Sequence, residues 1–310
     1  MTSWQDTARK IRGSIPFVSK HTRAVLEALF VTLLWSSSYV LIKIGLEEIP
    51  ALTFAGLRYG IAAVVLFPLF LHNGGYQSVR RLNRRDFGVL LILGLFMYAV
   101  TQGAQFVALQ YLKAATVSLF LTFTPVIVAI FSIPLLGERA SRRQWAWMGI
   151  LFIGVVIYFY PFDFGTFVLI GLGIMAVGLL SNSLASILGR DANRDGTLSA
   201  VAVTTVSMGF GSAILLGTGV AVQGLPPLSL QSWFIVLWLA VINTAFAFTL
   251  WNRTLQTLSA TESSVINNTM LAQVAILGWV FLDETLSLTD IIGLTVVMIA
   301  ALLFQLARKG

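Results

Sequence analysis

The residues of this chain that could do chemistry are almost all uncharged. Its 310 residues contain no cysteine and only two histidines, His21 and His72. Disulfides, thiolate metal sites and cysteine nucleophiles are therefore excluded, as is a zinc or di-iron site built from imidazoles within the apolar segments. No glycine-rich phosphate loop ending in Gly-Lys-Ser or Gly-Lys-Thr occurs, so the chain carries no ATPase motif of that kind. No aspartate-rich pair for magnesium diphosphate stands out, and the acid, base and nucleophile set of an enzyme is missing. Amides, hydroxyls and aromatics set in apolar sequence take their place. They are Trp35, Ser36, Ser37, Ser38 and Tyr39, then Tyr98, Thr101, Gln102 and Gln105, then Thr122 and Thr124 before Pro125. Further on come Ser181, Asn182 and Ser183, then Asn243, Thr244 and Trp251, and finally Ser264, Asn267, Asn268 and Gln273. Tyr98, Gln102 and Gln105 share one face at helical spacing. Any of these groups can fasten helix to helix for ~0.6 kcal/mol apiece, but large amides beside aromatics exceed what fastening needs. Trp35, Ser38, Tyr98, Gln102, Asn182, Asn243, Asn267 and Asn268 are expected to wall a wet, neutral cavity suited to a zwitterion or a modestly polar organic molecule. The aromatics would enclose that small-molecule substrate and the amides would satisfy its polar ends. Nothing in the set calls for a cofactor or a metal.

The elements that must position these groups are apolar. Ten stretches of about twenty residues, the length that crosses ~30 Å of hydrocarbon, fall at 24–42, 51–71, 87–109, 114–136, 144–160, 164–188, 197–222, 228–252, 263–282 and 291–307. Hydrophobic residues make up 57% of the chain, charged residues 11%, and mean hydropathy is +0.86; a soluble domain carries about 25% charged residues. Barrel strands are ~10 residues long and alternate in polarity, so the expected fold is an all-α integral membrane protein with ten transmembrane helices, its surroundings membrane lipid. Pro68, Pro125 and Pro134 lie within helices and can kink them. Trp145, Trp147 and Trp233 stand near segment ends, where they mark an aromatic belt at the membrane interface.

The net charge of +7 needs no nucleic acid to explain it. With ten crossings, seventeen of the 20 lysines and arginines fall on the side of the termini, Lys43 and Lys113 fall opposite, and Arg58 lies within a helix. Basic residues favour the cytoplasmic side, so both termini are expected in the cytoplasm and the chain in a bacterial inner membrane. Residues 1–23 form a polar, basic cytoplasmic segment without the apolar core of a cleaved signal peptide. Two readings of Arg58 stand. It is either an electropositive anchor for a substrate carboxylate or a charge fastening helices near the outer face, to Glu47, Glu48 or Asp283. No carboxylate lies at mid-helix, so proton coupling has no evident carrier; Glu27 is the nearest thing to one.

The chain also repeats itself. Residues 106–141 set against 252–287, a constant offset of 146, are identical at eleven of 36 positions, where roughly three or four would be expected from composition. The matches include Leu109/Leu255, Gln110/Gln256, Ser118/Ser264, Glu138/Glu284 and Ser141/Ser287. The chain divides into a first half at 24–160 and a second at 164–307. Five helices per half is an odd number, so the halves insert with opposite orientation, as in secondary transporters whose site lies near mid-membrane between the repeats.

On these residues a family resemblance appears. Trp35-Ser36-Ser37-Ser38-Tyr39-Val40-Leu41-Ile42-Lys43, Pro50 and Phe54-Ala55-Gly56-Leu57-Arg58-Tyr59 resemble the opening of the EamA-like half of drug/metabolite transporters. Leu136-Gly137-Glu138-Arg139 and Leu282-Asp283-Glu284-Thr285 resemble that family's recurring turn after the fourth helix of a half. Trp251-Asn252-Arg253 with Leu258-Ser259-Ala260-Thr261 fits its second-half junction, whereas Leu179-Leu180-Ser181-Asn182 lacks the tryptophan usual there. Within the family the overall likeness is to the YddG-type amino-acid exporters. The resemblance implies a secondary transporter exporting small metabolites, amino acids including aromatic ones, by alternating access. A channel-like uniporter of the same fold and, less in keeping with the missing motifs, a membrane-embedded enzyme are the alternatives.

Overall fold

The computed structural model describes residues 19–80, 82–136, 141–162, 164–194 and 200–307. Among these, the chain is helical throughout and has no strand. Helix α1 is Lys20–Gly45, α2 Ala51–His72, α3 Arg84–Ala108, and α4 the pair Ala114–Thr122 and Thr124–Leu136. Helix α5 is Arg142–Phe159, α6 Thr166–Arg194, α7 Ala200–Gln223 and α8 Leu230–Thr254. Helix α9 is the pair Ala260–Asn268 and Met270–Phe281, and α10 is Leu288–Leu306. A short helix, Gly75–Arg80, has no counterpart among the expected segments. Nine stretches among the described residues are long and apolar enough to cross a membrane, which makes this a multi-pass membrane protein. The remaining helix, α5, opens on Arg142-Arg143-Gln144, and that polar first turn lowers its apolar content. Most of segment 1–23 and the turn Gly137-Glu138-Arg139 lie outside the described residues.

Local sequence sets the helix ends. Ser141 with Gln144, Ser259 with Glu262 and Ser287 with Asp290 form reciprocal capping boxes at the starts of α5, α9 and α10, each satisfying two backbone N–H groups that no helical carbonyl reaches. Ser141 and Ser287 are a matched pair of the repeat.

Packing follows the duplication. Helix α2 lies along α7 and α5 along α10, so helices of equal position in the two halves meet. Helix α1 packs on α8 and α9, and α6 packs on α3 and α4, so each half lends its first helix to the other. Glycines allow the close seams. A Cβ on Gly56 would sit 2.4 Å from the Leu216 backbone, and one on Gly293 would sit 2.6 Å from that of Tyr158. Without a hydrophobic drive between helices in lipid, such backbone approach is a main source of association.

The structure interrupts four helices that the sequence reading leaves continuous. A π-helical turn at Leu95–Thr101 in α3 recurs at Val241–Phe246 in α8, and the break at Phe123 in α4 recurs at Thr269 in α9. Each pair starts 146 residues apart. The Thr101 and Thr244 hydroxyls donate to the carbonyls of Phe96 and Leu239, five residues back, at 2.7 and 2.8 Å, so each wide turn binds a side chain where regular α-helix would close on itself. Pro125, which has no N–H, lies two residues past the α4 break. In α9 the equivalent position is Leu271 and the helix breaks all the same, so the interruption belongs to the packing of the repeat and not to proline.

Candidate functional site

Where the interrupted helices converge, the halves enclose a cavity of about 510 Å³. Five repeat-matched pairs line it: Gln102 with Phe248, Leu121 with Asn267, Thr122 with Asn268, Thr124 with Met270, and Pro125 with Leu271. The residues on either side of both breaks thus face the same space. The pairs differ in chemistry, so a symmetric backbone carries an asymmetric set of polar groups.

Six of the expected residues, Trp35, Ser38, Gln102, Asn182, Asn267 and Asn268, line this cavity. Trp35 packs against Phe248 at 5.4 Å and Trp251 at 5.2 Å between ring centroids, and its indole nitrogen is buried without a partner. Gln102 accepts the Tyr59 hydroxyl at 2.6 Å; its amide nitrogen has no partner among the described residues. Asn182 donates to the Thr124 hydroxyl at 2.9 Å and Asn268 donates to the Met298 carbonyl at 2.9 Å, which leaves a carbonyl oxygen on each for the cavity. Asn267 is exposed there.

The structure places Tyr98 and Asn243 outside this lining. Tyr98 is buried against Tyr59, 5.6 Å between rings. Asn243 is fully buried and donates to the Leu34 carbonyl and to the hydroxyls of Ser37 and Ser38 at 3.1 and 3.0 Å. It ties the π turn of α8 to α1. Gln273 has a similar fastening role, accepting from Ser36 at 2.9 Å and donating to Thr32 and Thr269. Tyr39, Tyr59, Phe248, Ser186 and Gln305 also line the cavity. Tyr39 closes the polar run that begins at Trp35 and Tyr59 follows Arg58, whereas Phe248, Ser186 and Gln305 stand in apolar helices with no local pattern to mark them.

Arg58 is the one charged side chain among the lining residues, and it is 4% exposed. Its Nε donates to the Thr244 hydroxyl at 3.0 Å, one terminal nitrogen stands 3.5 Å from the Ser38 hydroxyl, and the guanidinium carbon lies 5.0 Å from the centre of the Tyr59 ring. No carboxylate pairs with it among the described residues; Glu48 instead accepts the Ser232 hydroxyl at 2.6 Å. The ion pairs sit at the two ends of the molecule. Glu27 meets Arg23 and Arg253 on the side where α1 begins, where His21 also shares a hydrogen bond with Glu262. Opposite, Lys43 meets Glu284 at 2.6 Å, Lys113 meets Asp290 at 3.3 Å, and Glu284 also accepts the Ala114 N–H at the start of α4.

Comparison with known proteins bears on this arrangement. The model of the EamA-like transporter family matches the chain twice, at residues 22–160 and 169–306. An uncharacterised transporter, YoaV of Bacillus subtilis (strain 168), is 23% identical over 277 residues, covering 87% of this chain and 92% of that one. An S-adenosylmethionine/S-adenosylhomocysteine transporter of Chlamydia trachomatis serovar L2 is 25% identical over 266 residues, 81% of this chain and 80% of its own. A solved crystal structure has the same fold, with a TM-score of 0.65 at 20% identity over 94% of this chain and all of that one.

Proposed function

The chain belongs to the EamA-like transporter family, and from that premise we propose that it exports small metabolites, amino acids including aromatic ones, by alternating access. The observation that carries the reading is the cavity at the seam of the two halves, walled by residues flanking both repeat-matched breaks. Breaks and π turns at equivalent places give each half the same pair of hinges. Rocking one half against the other around a fixed site is the motion such architecture supports. The charges at the two ends are placed to open and close with that motion. Aromatic walls from Trp35, Tyr59 and Phe248 with amides between them suit a molecule with an apolar body and polar groups. The two molecules in the chlamydial relative's name each carry an amino-acid head, which fits the same reading. The membrane we assign is the bacterial inner membrane, with both termini in the cytoplasm, from the distribution of basic residues.

Inside-out membrane vesicles containing the protein test direction and substrate together. Uptake of labelled amino acids above that of vesicles without the protein supports export. Uptake by right-side-out vesicles alone would make the protein an importer.

A further inference from the structure

The position of Arg58 bears on what the cavity can accept. A guanidinium inside a membrane protein is costly unless it is paired or wet, and a buried charge lacking its counter-ion is costlier than a complete pair. Arg58 has no counter-ion among the described residues, and the cavity lining offers no carboxylate. Its neighbours take only part of its donating capacity, since Thr244 holds Nε and Ser38 stands at the edge of hydrogen-bond range. Gln102 adds to the same end. Its carbonyl is occupied by Tyr59, and Tyr59 stacks beside Arg58, so the amide left free there is a donor. The rest of the lining is different. Asn182 and Asn268 each present a carbonyl oxygen, and the Gln305 carbonyl oxygen is buried without a partner. Arg58 is seven residues into α2 from the end away from the termini, about 10 Å of rise, whereas Gln305 lies in the last turn of α10 at the terminal end. Donating capacity is thus left on Arg58 and Gln102 toward one end, and a buried acceptor on Gln305 toward the other.

We infer that Arg58, with the Gln102 amide, is the anchor for a carboxylate on the substrate, and that this anionic group, not the ammonium, is the obligatory one. The inference rests on the cavity being the substrate site. An anion completes the Arg58 environment in both charge and hydrogen bonds, and a charge-assisted contact to guanidinium is stronger than a neutral one. A molecule with an amine but no acid brings a second cation to a site with no negative charge. The chain therefore discriminates against amides and decarboxylated analogues of the molecules it carries.

The test uses full-length protein in detergent and in proteoliposomes. Amino acids and 2-oxo acids are set against the corresponding carboxamides and amines, with thermal stabilisation and competition as readouts. Loss of a hydrogen-bonded charge partner is worth roughly tenfold to a hundredfold in affinity. We expect at least one acid to bind and its carboxamide to need at least that much more to compete. In Arg58→Met the gap should close to within about threefold, mostly through weaker acid binding, while Arg58→Lys keeps part of it. If Arg58→Met does not fold, the wild-type panel together with Gln102→Leu decides, because Gln102→Leu should narrow the same gap. Carboxamides binding as well as acids, a gap undiminished in a folded Arg58→Met, or a panel in which no acid binds would each overturn the inference. Acids that bind without crossing the membrane would leave the anchor standing and defeat the transport reading. Amino acids and their carboxamides transported alike would do the opposite.

Discussion

Asn243 and Asn267 are the same residue type in neighbouring helices of one half, and their surroundings are opposite. Asn243 is fully buried and donates to three acceptors on α1. Asn267 faces the cavity without a hydrogen bond among the described residues. Asn243→Leu should cost about 1–3 kcal/mol of stability for the partners it strands, read as a lower thermal midpoint, and leave the substrate affinity of the folded fraction within about threefold. Asn267→Leu should lower transport about tenfold with an unchanged thermal midpoint. Asn268 combines both situations, since its amide nitrogen ties α9 to α10 while its carbonyl is free; Asn268→Leu should reduce midpoint and transport together. Tryptophan fluorescence melts and vesicle flux separate the three. Sequence could list these amides as polar groups out of place in apolar helices but could not sort cavity from fastening. Sorting depends on which partner helix faces each residue, and one residue of register on a helix is 100° of rotation. For the same reason the helical spacing puts Tyr98, one turn before Gln102, on the cavity face, whereas the structure buries it against Tyr59.

At the scale of elements, the number and limits of the helices were legible because twenty apolar residues have few other uses, and the offset of 146 carried the duplication. The interruptions were not legible. Pro125 marks one, but its counterpart Leu271 marks nothing, and the polar residues within the π turns, Tyr98 and Thr101 in one and Asn243 and Thr244 in the other, do not signal a change of helix type. Close seams are more predictable. A Cβ at Gly293 meets the Tyr158 backbone at 2.6 Å, and one at Gly217 meets nothing within 4 Å. Gly293→Ala should push α5 from α10 and cost about 1–3 kcal/mol. Gly217→Ala should be neutral or gain a few tenths, about what alanine gains over glycine in a helix. The Glu284 carboxylate joins Lys43 on α1 to the first N–H of α4. Glu284→Gln keeps an acceptor for that N–H and loses the ion pair, whereas Glu284→Ala loses both. Thermal midpoints should fall in the order wild type, Glu284→Gln, Glu284→Ala; equal midpoints for the two variants would mean the cap contributes nothing.

For the whole molecule, duplication has a mechanical consequence. Two halves with exchanged first helices and matched interruptions would, on the proposed function, give two equivalent arrangements around the cavity, which is what alternating access needs. On the orientation we propose from the uneven distribution of basic residues, a reporter fused at Gly310 should be active only as a cytoplasmic reporter; periplasmic phosphatase activity there would contradict the even number of crossings. No carboxylate lines the cavity among the described residues, so flux should persist after collapse of a pH gradient in substrate-loaded vesicles, and its complete loss would put Glu27 under test as a proton site. The most direct measurement is counterflow. Purified protein in proteoliposomes is loaded with an unlabelled amino-acid mixture, and entry of each labelled amino acid is followed. The account predicts transient accumulation of at least one labelled amino acid, chemically intact, saturable, and reduced about tenfold by Asn267→Leu. Folded protein that gives no counterflow for any of them, or vesicles in which the label appears only in an altered molecule, would contradict it.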